Sequence, residues 1–501
     1  MSLGDEYLKV LAGGAPPKPP KKAKPRKAPA TDSVFIRGDQ TEIAAEYVRT
    51  LGEHAVFAVG RTFRYASERG VFEPMASADE SCTVQAFAGE PVGDGGKSLE
   101  INASDVRGAI GLAHDLLARG KESFFENGPR GLALADCFLS VEGDAVVPKP
   151  HSPENRARHA YAFAISDMAV QPARFLTFLG EVFEGDADAT EKSAYLQEFL
   201  GASLLGIAPR FQRVTCLFGP GADAKSTAME IVGSVFPAAS VTALPPQLWA
   251  DQYRRALLST SRLNAASELP TAAIASTDTF KAIVSGDLVD AREIYKPPFG
   301  FRCAAGHLFA ANTMPDVNDT SHGFWRRWVV LLFNRKFEGA AADPLLASTI
   351  IATERPGIVA WMLEGAHRLM QRGHYLVPPS SVRAVDLWRK RANPVAQWVD
   401  ERLEPLPAHL PVKTPEATTS LVLFRDYRKW AIENGHPAIT STKFGIELGK
   451  LATRKPHHSR SGTVHAFRFA SKKSDDVTGC DGLVTGFEGN LSQENHEDSN
   501  A

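Results

Sequence analysis

The stretch RVTCLFGPGADAKSTAMEIVGSVF, from Arg213 to Phe236, is the most informative part of the chain. Its apolar run predicts a strand over 214–218, a loop begins at Gly219, and apolar spacing after Thr227 predicts a helix. This order is typical of a phosphate-binding loop, because backbone N–H groups and the helix N-terminus then face one anion. A lysine and a hydroxyl must also reach the phosphates, and Lys225 and Ser226 follow the loop. An ordinary strand-to-helix turn with a chance Lys-Ser pair is the alternative.

The loop departs once from the pattern G-x-x-x-x-G-K-[ST]. Ala224 stands at the position of the second glycine. Because alanine has a Cβ, a left-handed backbone at this position would be strained.

Length, charge and cysteine content exclude several classes of protein. At about 100 to 200 residues per domain, 501 residues suggest roughly three domains. The 56 basic and 58 acidic residues nearly balance, so bulk charge neither supports nor excludes nucleic-acid binding. Five scattered cysteines without a C-x-x-C argue against a disulfide framework or a zinc ribbon and fit a reducing cytosol. No apolar run reaches the roughly 18 residues of a membrane span, so we expect a cytoplasmic protein with no membrane partner.

Composition and periodicity predict an α/β protein of several parts. These are a disordered basic arm (1–32), an N-terminal α/β accessory module (33–150), a helical segment (151–208), an α/β core around the phosphate loop (209–355), a helical connector (356–392), a winged-helix-like module (393–470) and a disordered acidic tail (471–501). We expect the helical segment to pack beside or beneath the core, because apolar residues recur in it at three- and four-residue spacing.

The N-terminal module contains no evident set of carboxylates for a primase or nuclease metal site, which needs two or three on adjacent strand ends. Asp39 and Asp136 are isolated, as turn or cap residues usually are. The module at 393–470 has the helix, helix, hairpin order of a winged helix, and its basic residues include Lys443 and Lys450. Such modules bind DNA or dock proteins, and the basic cluster favours DNA.

Three further motifs follow the phosphate loop in chain order. Glu268 ends a short strand of small residues, at the carboxyl end where ligands of open α/β sheets bind. Asn312 ends another apolar strand, and Arg326 and Arg327 directly precede a third. Each is weak evidence alone, since an exposed arginine pair is usually surface and a glutamate after a strand is usually a cap.

A basic segment lies between Glu268 and Asn312. It contains Lys281 on a helix end and a hairpin-like stretch with Arg292, Tyr295 and Lys296. Such a hairpin suits gripping the phosphates of a strand and stacking on a base. A solvated surface hairpin is the alternative.

Taken together, these motifs resemble the superfamily-three helicases of the phage and plasmid primase type, which include a poxvirus-like primase-helicase family. The resemblance covers about 160–337 strongly and the C-terminal module more loosely. It implies an AAA+-like core that assembles into hexameric rings and translocates on single-stranded or forked DNA. A phage-encoded protein of this kind would act in the bacterial cytoplasm, with a separate primase or polymerase as a further partner.

The resemblance also implies a role for each motif. ATP would be bound by the loop residues Gly219, Pro220, Gly221, Ala222, Asp223, Ala224, Lys225, Ser226 and Thr227. Lys225 would contact the β and γ phosphates, and Ser226 or Thr227 would help to hold Mg²⁺. Glu268 would complete the Mg²⁺ shell or orient the attacking water, and Asn312 would sense the γ-phosphate. Arg327, or Arg326, would reach the ATP of the adjacent subunit, while Lys281, Arg292, Tyr295 and Lys296 would contact DNA.

Two departures from the family pattern bear on turnover. Asp223 brings a carboxylate close to the phosphates, where like charge would weaken nucleotide binding unless Mg²⁺ or an arginine offsets it. The second acidic motif holds a single acid, Glu268.

The motifs and the resemblance together make an ATP-dependent helicase the leading interpretation. A primase-helicase whose primase site is not visible, and a non-unwinding ATP-binding initiator or loader that recruits a host helicase, are the alternatives.

Overall fold

The computed structural model describes residues 35–93, 97–118, 124–274, 276–317, 319, 321–337, 343–405, 418–436, 438–451, 454–459, 462–467 and 469–471. The predicted basic arm and nearly all of the predicted acidic tail lie outside these residues. The chain divides between Val382 and Arg383 into two compact units. It is a mixed α/β protein with fourteen α-helices in the described part and a five-stranded parallel sheet in the first unit.

The described residues from 35 to 150 form small antiparallel sheets and three helices, as their mixed periodicity predicts. The elements are α1 (Gln40–Leu51), β1 (Val56–Ala58), β2 (Arg61–Ala66), β3 (Val71–Pro74), α2 (Ser77–Gln85), β4 (Pro91–Val92), β5 (Lys97–Ser98), α3 (Ala103–Ala118), β6 (Gly131–Ala133), β7 (Phe138–Glu142) and β8 (Ala145–Lys149). Asp39 caps α1 by accepting a hydrogen bond from the Glu42 N–H at 3.0 Å. Asp136 accepts one from the Ile165 N–H at 3.1 Å. Both aspartates therefore satisfy backbone donors, as isolated aspartates usually do.

Two helices connect this region to the parallel sheet, α4 (Ala173–Val182) and α5 (Ala189–Leu204). Their apolar residues belong to one buried cluster that also includes side chains of the parallel sheet. The predicted packing of these helices against the core is confirmed.

The core alternates strands and helices along the chain. Its elements are β9 (Val214–Phe218), α6 (Lys225–Val235), β10 (Val241–Thr242), α7 (Gln252–Arg255), β11 (Leu263–Ala266), α8 (Thr277–Ser285), β12 (Leu288–Arg292), β13 (Pro298–Arg302), β14 (Gly306–Ala311), α9 (His322–Trp325) and β15 (Trp328–Leu332). Short 3-10 turns lie at Pro153–Asn155, Ile165–Ala169, Ala208–Phe211, Ala238–Ser240, Pro246–Leu248 and Ala256–Thr260.

The parallel sheet has the strand order β10-β11-β14-β9-β15. Every strand runs in the same direction, so the loops that follow β9, β11 and β14 leave from one edge, which we call the carboxyl edge. Strand β14 lies between β11 and β9. Strands β12 and β13 form a separate antiparallel hairpin, as predicted.

The helix α10 (Leu346–Arg372) follows the sheet and passes through Pro356. The boundary predicted between residues 355 and 356 therefore falls inside one continuous helix. It packs along α5 in the main buried cluster. The next helix is α11 (Pro379–Ala392). None of the described helices is long and apolar enough to span a bilayer.

The second unit forms around a buried cluster that includes Trp398, Tyr427, Trp430 and Phe444. Its elements are α12 (Pro394–Arg402), β16 (Leu403–Pro405), β17 (Thr418–Thr419), α13 (Ser420–Glu433), α14 (Ser441–Leu451), β18 (Arg454–Ser459), β19 (Gly462–Phe467) and β20 (Phe469–Ser471). The predicted order of helix, helix and strand pair is present in α13, α14 and the antiparallel pair β18–β19.

Candidate functional site

A cleft of about 830 Å³ opens at the carboxyl edge of the parallel sheet. The loops after β9, β11 and β14 all contribute to its walls, which include Lys225, Ser226, Thr227, Glu268 and Asn312. The volume falls within the range typical of small-molecule sites, roughly 300 to 1,000 Å³. The structure thus brings three of the predicted motifs into one cleft.

The phosphate loop takes a left-handed backbone at several positions. Gly221 has φ 107°, Ala222 has φ 52° and Ala224 has φ 64°. Ala224 directly precedes the first residue of α6. A left-handed conformation costs a residue with a Cβ about 1 to 2 kcal/mol. The strain predicted for Ala224 is therefore present in the folded loop.

Lys225 and Asp223 form an ion pair inside this loop. The Lys225 ammonium contacts the Asp223 carboxylate and donates to the Gly219 carbonyl at 2.8 Å. Both side chains are buried, with 5% of Lys225 and 4% of Asp223 exposed. Asp223 also accepts a hydrogen bond from the Gly221 N–H at 3.2 Å. The carboxylate therefore lies beneath the loop and neutralises the lysine that the sequence assigns to the phosphates.

Gly219 makes this arrangement sterically possible. A Cβ at position 219 would lie 2.1 Å from Asp223 Oδ2 and 2.5 Å from the Phe333 carbonyl oxygen. No side chain fits there while Asp223 keeps its position.

Glu268 and Asn312 lie beyond the ends of neighbouring strands. Glu268 follows β11 and Asn312 directly follows β14, and both side chains are exposed towards the cleft. Because β14 pairs with both β11 and β9, Asn312 leaves the sheet between Glu268 and the phosphate loop. An amide and a carboxylate thus line the same cleft as the phosphate loop.

Two further cleft residues were missed by the sequence reasoning. Arg174 is the second residue of α4, a helix that periodicity assigns only to packing, and its guanidinium is 3.2 Å from Glu181. Phe337 is half-buried, and its N–H donates to the Ala222 carbonyl at 2.7 Å. Neither belongs to a recognisable motif, so only the fold reveals them.

Arg326 and Arg327 have different environments. Arg326 is exposed, and its guanidinium donates to Gln212 Oε1 at 2.6 Å. Arg327 is buried and donates to Ser285 Oγ at 2.7 Å and to the Gly323 carbonyl. Burial, and then the charge of Arg326, lower the pKa of Arg327. Arg327 therefore supports the local fold, while Arg326 is accessible.

Both arginines lie at the opposite edge of the sheet from the cleft. They precede β15, whose first residue pairs with the first residue of β9. At about 3.3 Å per residue, the five residues of β9 separate them from the start of the phosphate loop by roughly 16 Å.

The four residues of the predicted basic segment are not equivalent. Lys281 lies on α8 and pairs with Asp319 at 2.6 Å, away from the hairpin turn. Burial alone would raise the pKa of Asp319, but hydrogen bonds from Lys281 and Ser321 hold it at about 2. Arg292 donates to the Lys296 carbonyl at 2.9 Å, and the Lys296 ammonium pairs with Glu293 at 2.8 Å.

Tyr295 lies at the tip of the β12–β13 hairpin. It is 99% exposed and has a left-handed backbone, with φ 64°. The three basic residues are thus held in contacts within the protein, whereas the aromatic ring projects into solvent.

In the second unit, Lys443 and Lys450 lie on the exposed face of α14, opposite the buried Phe444 and Leu448. Lys450 pairs with Glu447 at 2.8 Å. Both lysines lie at the surface, and Lys450 is engaged with Glu447.

The cleft provides hard oxygen ligands suited to Mg²⁺. Mg²⁺ is usually held by one or two protein groups together with waters and substrate phosphates. Ser226 is exposed and Thr227 half-buried beside Lys225, and Glu268 faces the same space. These residues fit the ion. No group of three or more histidine, cysteine, aspartate or glutamate side chains suited to a metal occurs in the described part of the chain.

Comparisons with known proteins give limited information. A family of unknown function (DUF5906) matches residues 217–327, from the phosphate-loop strand to Arg327. No curated protein matches the chain.

Among solved structures, two apo structures of the NrS-1 C-terminal region are similar with TM-scores of 0.43 and 0.42. Each is 10% identical and covers 86% of this chain, and the match spans 98% and 99% of those chains. A third, described as NrS-1 C terminal region-CTR(305-718), has a TM-score of 0.36 at 10% identity and covers 66% of this chain and 94% of its own. The likeness is too distant to carry a functional conclusion.

Proposed function

We propose that this protein is an ATP-dependent DNA helicase with an AAA+-like core that works as a ring, as a hexamer in the simplest case, in the replication of a phage or related mobile element. The observation that carries the proposal is the cleft itself, which gathers the phosphate loop, Glu268 and Asn312 at one edge of a parallel sheet. Ligands of open α/β sheets bind at this edge.

The cleft residues divide the work of ATP binding and hydrolysis. Lys225 and the first N–H groups of α6 hold the phosphates. Glu268 accepts a hydrogen bond from the attacking water, and Asn312 donates one to the γ-phosphate. Ser226 or Thr227, together with Glu268, would hold Mg²⁺, which would neutralise phosphate charge. Phe337 and Arg174 extend the cleft beyond the loop, where an aromatic face suits the nucleotide base.

The Asp223 carboxylate competes with the phosphates of a nucleotide for the Lys225 ammonium. In the ion pair, the carboxylate satisfies Lys225 as a phosphate oxygen would. The phosphates must therefore compete with an internal anion for the same ammonium. This competition lowers ATP affinity and makes Lys225 available only when nucleotide enters.

Arg326 supports action between subunits. It is exposed, but it lies at the edge opposite its own phosphate loop, so it reaches only the ATP of a neighbouring copy. An arginine delivered in this way stabilises the charge that develops during phosphoryl transfer. Of the two candidates named from the sequence, the exposed Arg326 suits this role better than the buried Arg327.

DNA contact is assigned to the hairpin tip and to the second unit. Tyr295 offers an exposed ring for stacking on a base. Arg292 and Lys296 add positive charge on the same hairpin, and Lys281 adds it on α8. Lys443 and Lys450 lie on an exposed helix face that suits the phosphates of forked DNA in a winged-helix arrangement. A separate primase or polymerase is the expected partner at a replication fork.

The decisive experiment measures ATP hydrolysis with and without single-stranded DNA, and follows ring formation by electron microscopy in the same samples. We expect DNA-stimulated hydrolysis that requires Mg²⁺, rings in the presence of nucleotide, and unwinding of a forked substrate. Purified protein that neither hydrolyses ATP nor unwinds a fork under these conditions would refute the helicase proposal.

A non-unwinding initiator or loader that binds ATP and recruits a host helicase is the second candidate. The Lys225–Asp223 pair and the single acid Glu268 favour it, because both slow turnover. Nucleotide binding without turnover, together with capture of the host helicase from a lysate, would support this candidate over the first.

A further inference from the structure

A second cavity lies at the edge of the parallel sheet opposite the cleft. It has a volume of about 230 Å³ and is lined by the N-terminal region on one side and by the segments that precede β9, β11 and β14 on the other. Six arginines line it: Arg130, Arg156, Arg158, Arg210, Arg262 and Arg302. Glu126 is the one carboxylate among the described residues that line it. The cavity therefore has a strong excess of positive charge.

Arg262 is the central residue of this cavity. Its Nη1 atom is enclosed by protein and has no hydrogen-bond partner among the described residues. A Cβ on Gly206 would lie 1.4 Å from that atom, so the glycine leaves the space that the guanidinium occupies. Burial, and then the charges of Arg158 and Arg130, lower the pKa of Arg262 well below its usual value. The enclosed Nη1 atom is thus left without a hydrogen-bond partner among the described residues, and Arg262 faces like charges rather than a carboxylate.

Two neighbouring arginines are held in place by neutral groups. Arg158 donates to the Ser259 carbonyl at 2.9 Å and lies over the Phe125 ring at 4.8 Å. Arg156 donates to the Phe124 carbonyl at 2.9 Å and lies over the Phe124 ring at 4.7 Å. These contacts fix the orientation of each guanidinium without neutralising it.

Glu126 offsets only part of this charge. Its carboxylate accepts a hydrogen bond from the Arg302 N–H at 3.0 Å and lies 3.5 Å from the Arg302 guanidinium. Arg302 is exposed at the mouth of the cavity, whereas Arg262 and Arg158 lie deeper. The single carboxylate is therefore engaged with the outermost arginine.

Guanidinium groups keep their protons in proteins, so a cluster of this kind is neutralised by a bound anion rather than by proton loss. The planar donors of arginine match the oxygens of phosphate. We propose that this arginine cavity binds phosphate groups, supplied either by the backbone of a nucleic-acid strand or by a free polyphosphate. The volume is below the roughly 300 Å³ at which sites for whole small molecules begin, so it suits phosphate groups rather than an entire nucleotide.

This proposal does not depend on the ATP site, since the two sites lie at opposite edges of the sheet. The test therefore uses full-length Lys225→Ala protein, in which the candidate ATP site is disabled. Into this background we introduce Arg262→Met, or Arg107→Met as the matched control. Arg107 is an exposed arginine on α3, outside the cavity.

The first arm measures thermal unfolding with inorganic pyrophosphate. We expect pyrophosphate to raise the Tm of the Lys225→Ala protein and of the Arg107→Met control, and to have little effect on Arg262→Met. Without ligand, Arg262→Met should melt at a higher temperature than the control, because removing one of several like charges relieves their repulsion.

The second arm measures fluorescence anisotropy of a labelled single-stranded oligothymidylate. If the phosphates come from nucleic acid, Arg262→Met should bind about tenfold more weakly than the control. The slope of log affinity against log salt concentration should also become less negative by about 0.7, because one phosphate contact is lost.

Arg302→Met is the second variant, since Arg302 is exposed and its replacement leaves the buried arginines in place. A loss in the pyrophosphate arm alone assigns a free polyphosphate, and a loss that includes the oligothymidylate arm assigns a nucleic-acid backbone. If both Arg262→Met and Arg302→Met respond as the Arg107→Met control does in both arms, the proposal is overturned. If Arg262→Met does not fold, the response of Arg302→Met alone decides.

Discussion

The two edges of the parallel sheet both gather positive side chains, but they balance that charge differently. At the carboxyl edge, the Lys225 ammonium is paired with the Asp223 carboxylate two residues away. At the opposite edge, Arg262 faces other arginines and keeps one enclosed nitrogen without a partner among the described residues. A site that contains its own anion is stable when empty and must exchange that anion for a ligand. A site without one gains stability from any suitable anion.

The largest expected effect is on the rate of ATP hydrolysis, and it should distinguish Arg326 from Arg327 at the same edge of the sheet. Arg326→Ala should lower ATP hydrolysis about a thousandfold, because an arginine supplied to a neighbouring site stabilises transition-state charge. Its fold should be unaffected, since the side chain is exposed. Steady-state hydrolysis at saturating ATP, with the Tm measured alongside, checks both points.

Arg327→Ala is the matched variant. We expect it to lower the Tm, because it leaves Ser285 without its partner and opens a buried contact. A fully active Arg326→Ala together with a folded but inactive Arg327→Ala would reverse the assignment of the two residues.

Lys225→Ala tests whether the two edges work independently. We expect hydrolysis to fall at least a hundredfold, because a positioned donor to the phosphates is lost. Stabilisation by pyrophosphate through the arginine cavity should persist. Lys149→Ala is the control, since Lys149 is also paired with a carboxylate, Glu142, but lies outside the cleft. Unchanged hydrolysis in Lys225→Ala would remove the basis for an ATP site in this loop.

Asp223→Asn should make the carboxyl edge resemble the opposite one. Removing the internal anion leaves Lys225 unpaired, so we expect nucleotide to bind about tenfold more tightly. Titration with a fluorescent ATP analogue measures this, and Asp115→Asn, an exposed aspartate on α3, is the control. Weaker binding in Asp223→Asn would instead mean that the carboxylate positions the lysine for the phosphates.

The smallest effect concerns the backbone of the phosphate loop. Ala224→Gly should stabilise the first unit by about 1 kcal/mol, because glycine adopts the left-handed backbone without strain. Ala228→Gly, within α6, should destabilise it by about 1 kcal/mol or more, since glycine is unfavourable in a helix interior. Thermal unfolding of both variants checks the opposite signs. A lower Tm for Ala224→Gly would show that loop strain is relieved elsewhere.

The residues of the carboxyl edge could be predicted from the sequence because each of them follows a short local sequence pattern. A strand pattern followed by a glycine or a polar residue identifies Gly219, Glu268 and Asn312 one at a time, and parallel strands bring such ends to the same edge. The expectation that Asp223 brings a carboxylate close to the phosphates stays a prediction, and the structure pairs this carboxylate with Lys225 inside the loop. Its direction depends on left-handed backbone at the flanking alanines, which the residue types do not favour.

The opposite edge could not be predicted in the same way. Arg326 and Arg327 are neighbours of identical chemistry, and only the folded structure shows that Arg327 is buried with contacts to Ser285 and Gly323. The arginines of the cavity come from distant parts of the chain and belong to no motif. Charge excess of this kind depends on tertiary packing, so it becomes visible only in the folded protein.

The short strand β11 connects the two edges mechanically. Arg262 directly precedes its first residue, and Glu268 follows its last by two positions. Strand β11 is hydrogen-bonded to β10 on one side and to β14 on the other. Its backbone is already extended, at about 3.3 Å per residue, so it cannot lengthen further. The strand therefore has a fixed length and a fixed position in the sheet. The ladders on both sides resist sliding, so β11 holds Arg262 and Glu268 at a fixed separation, and an anion bound at one edge leaves the other edge in place.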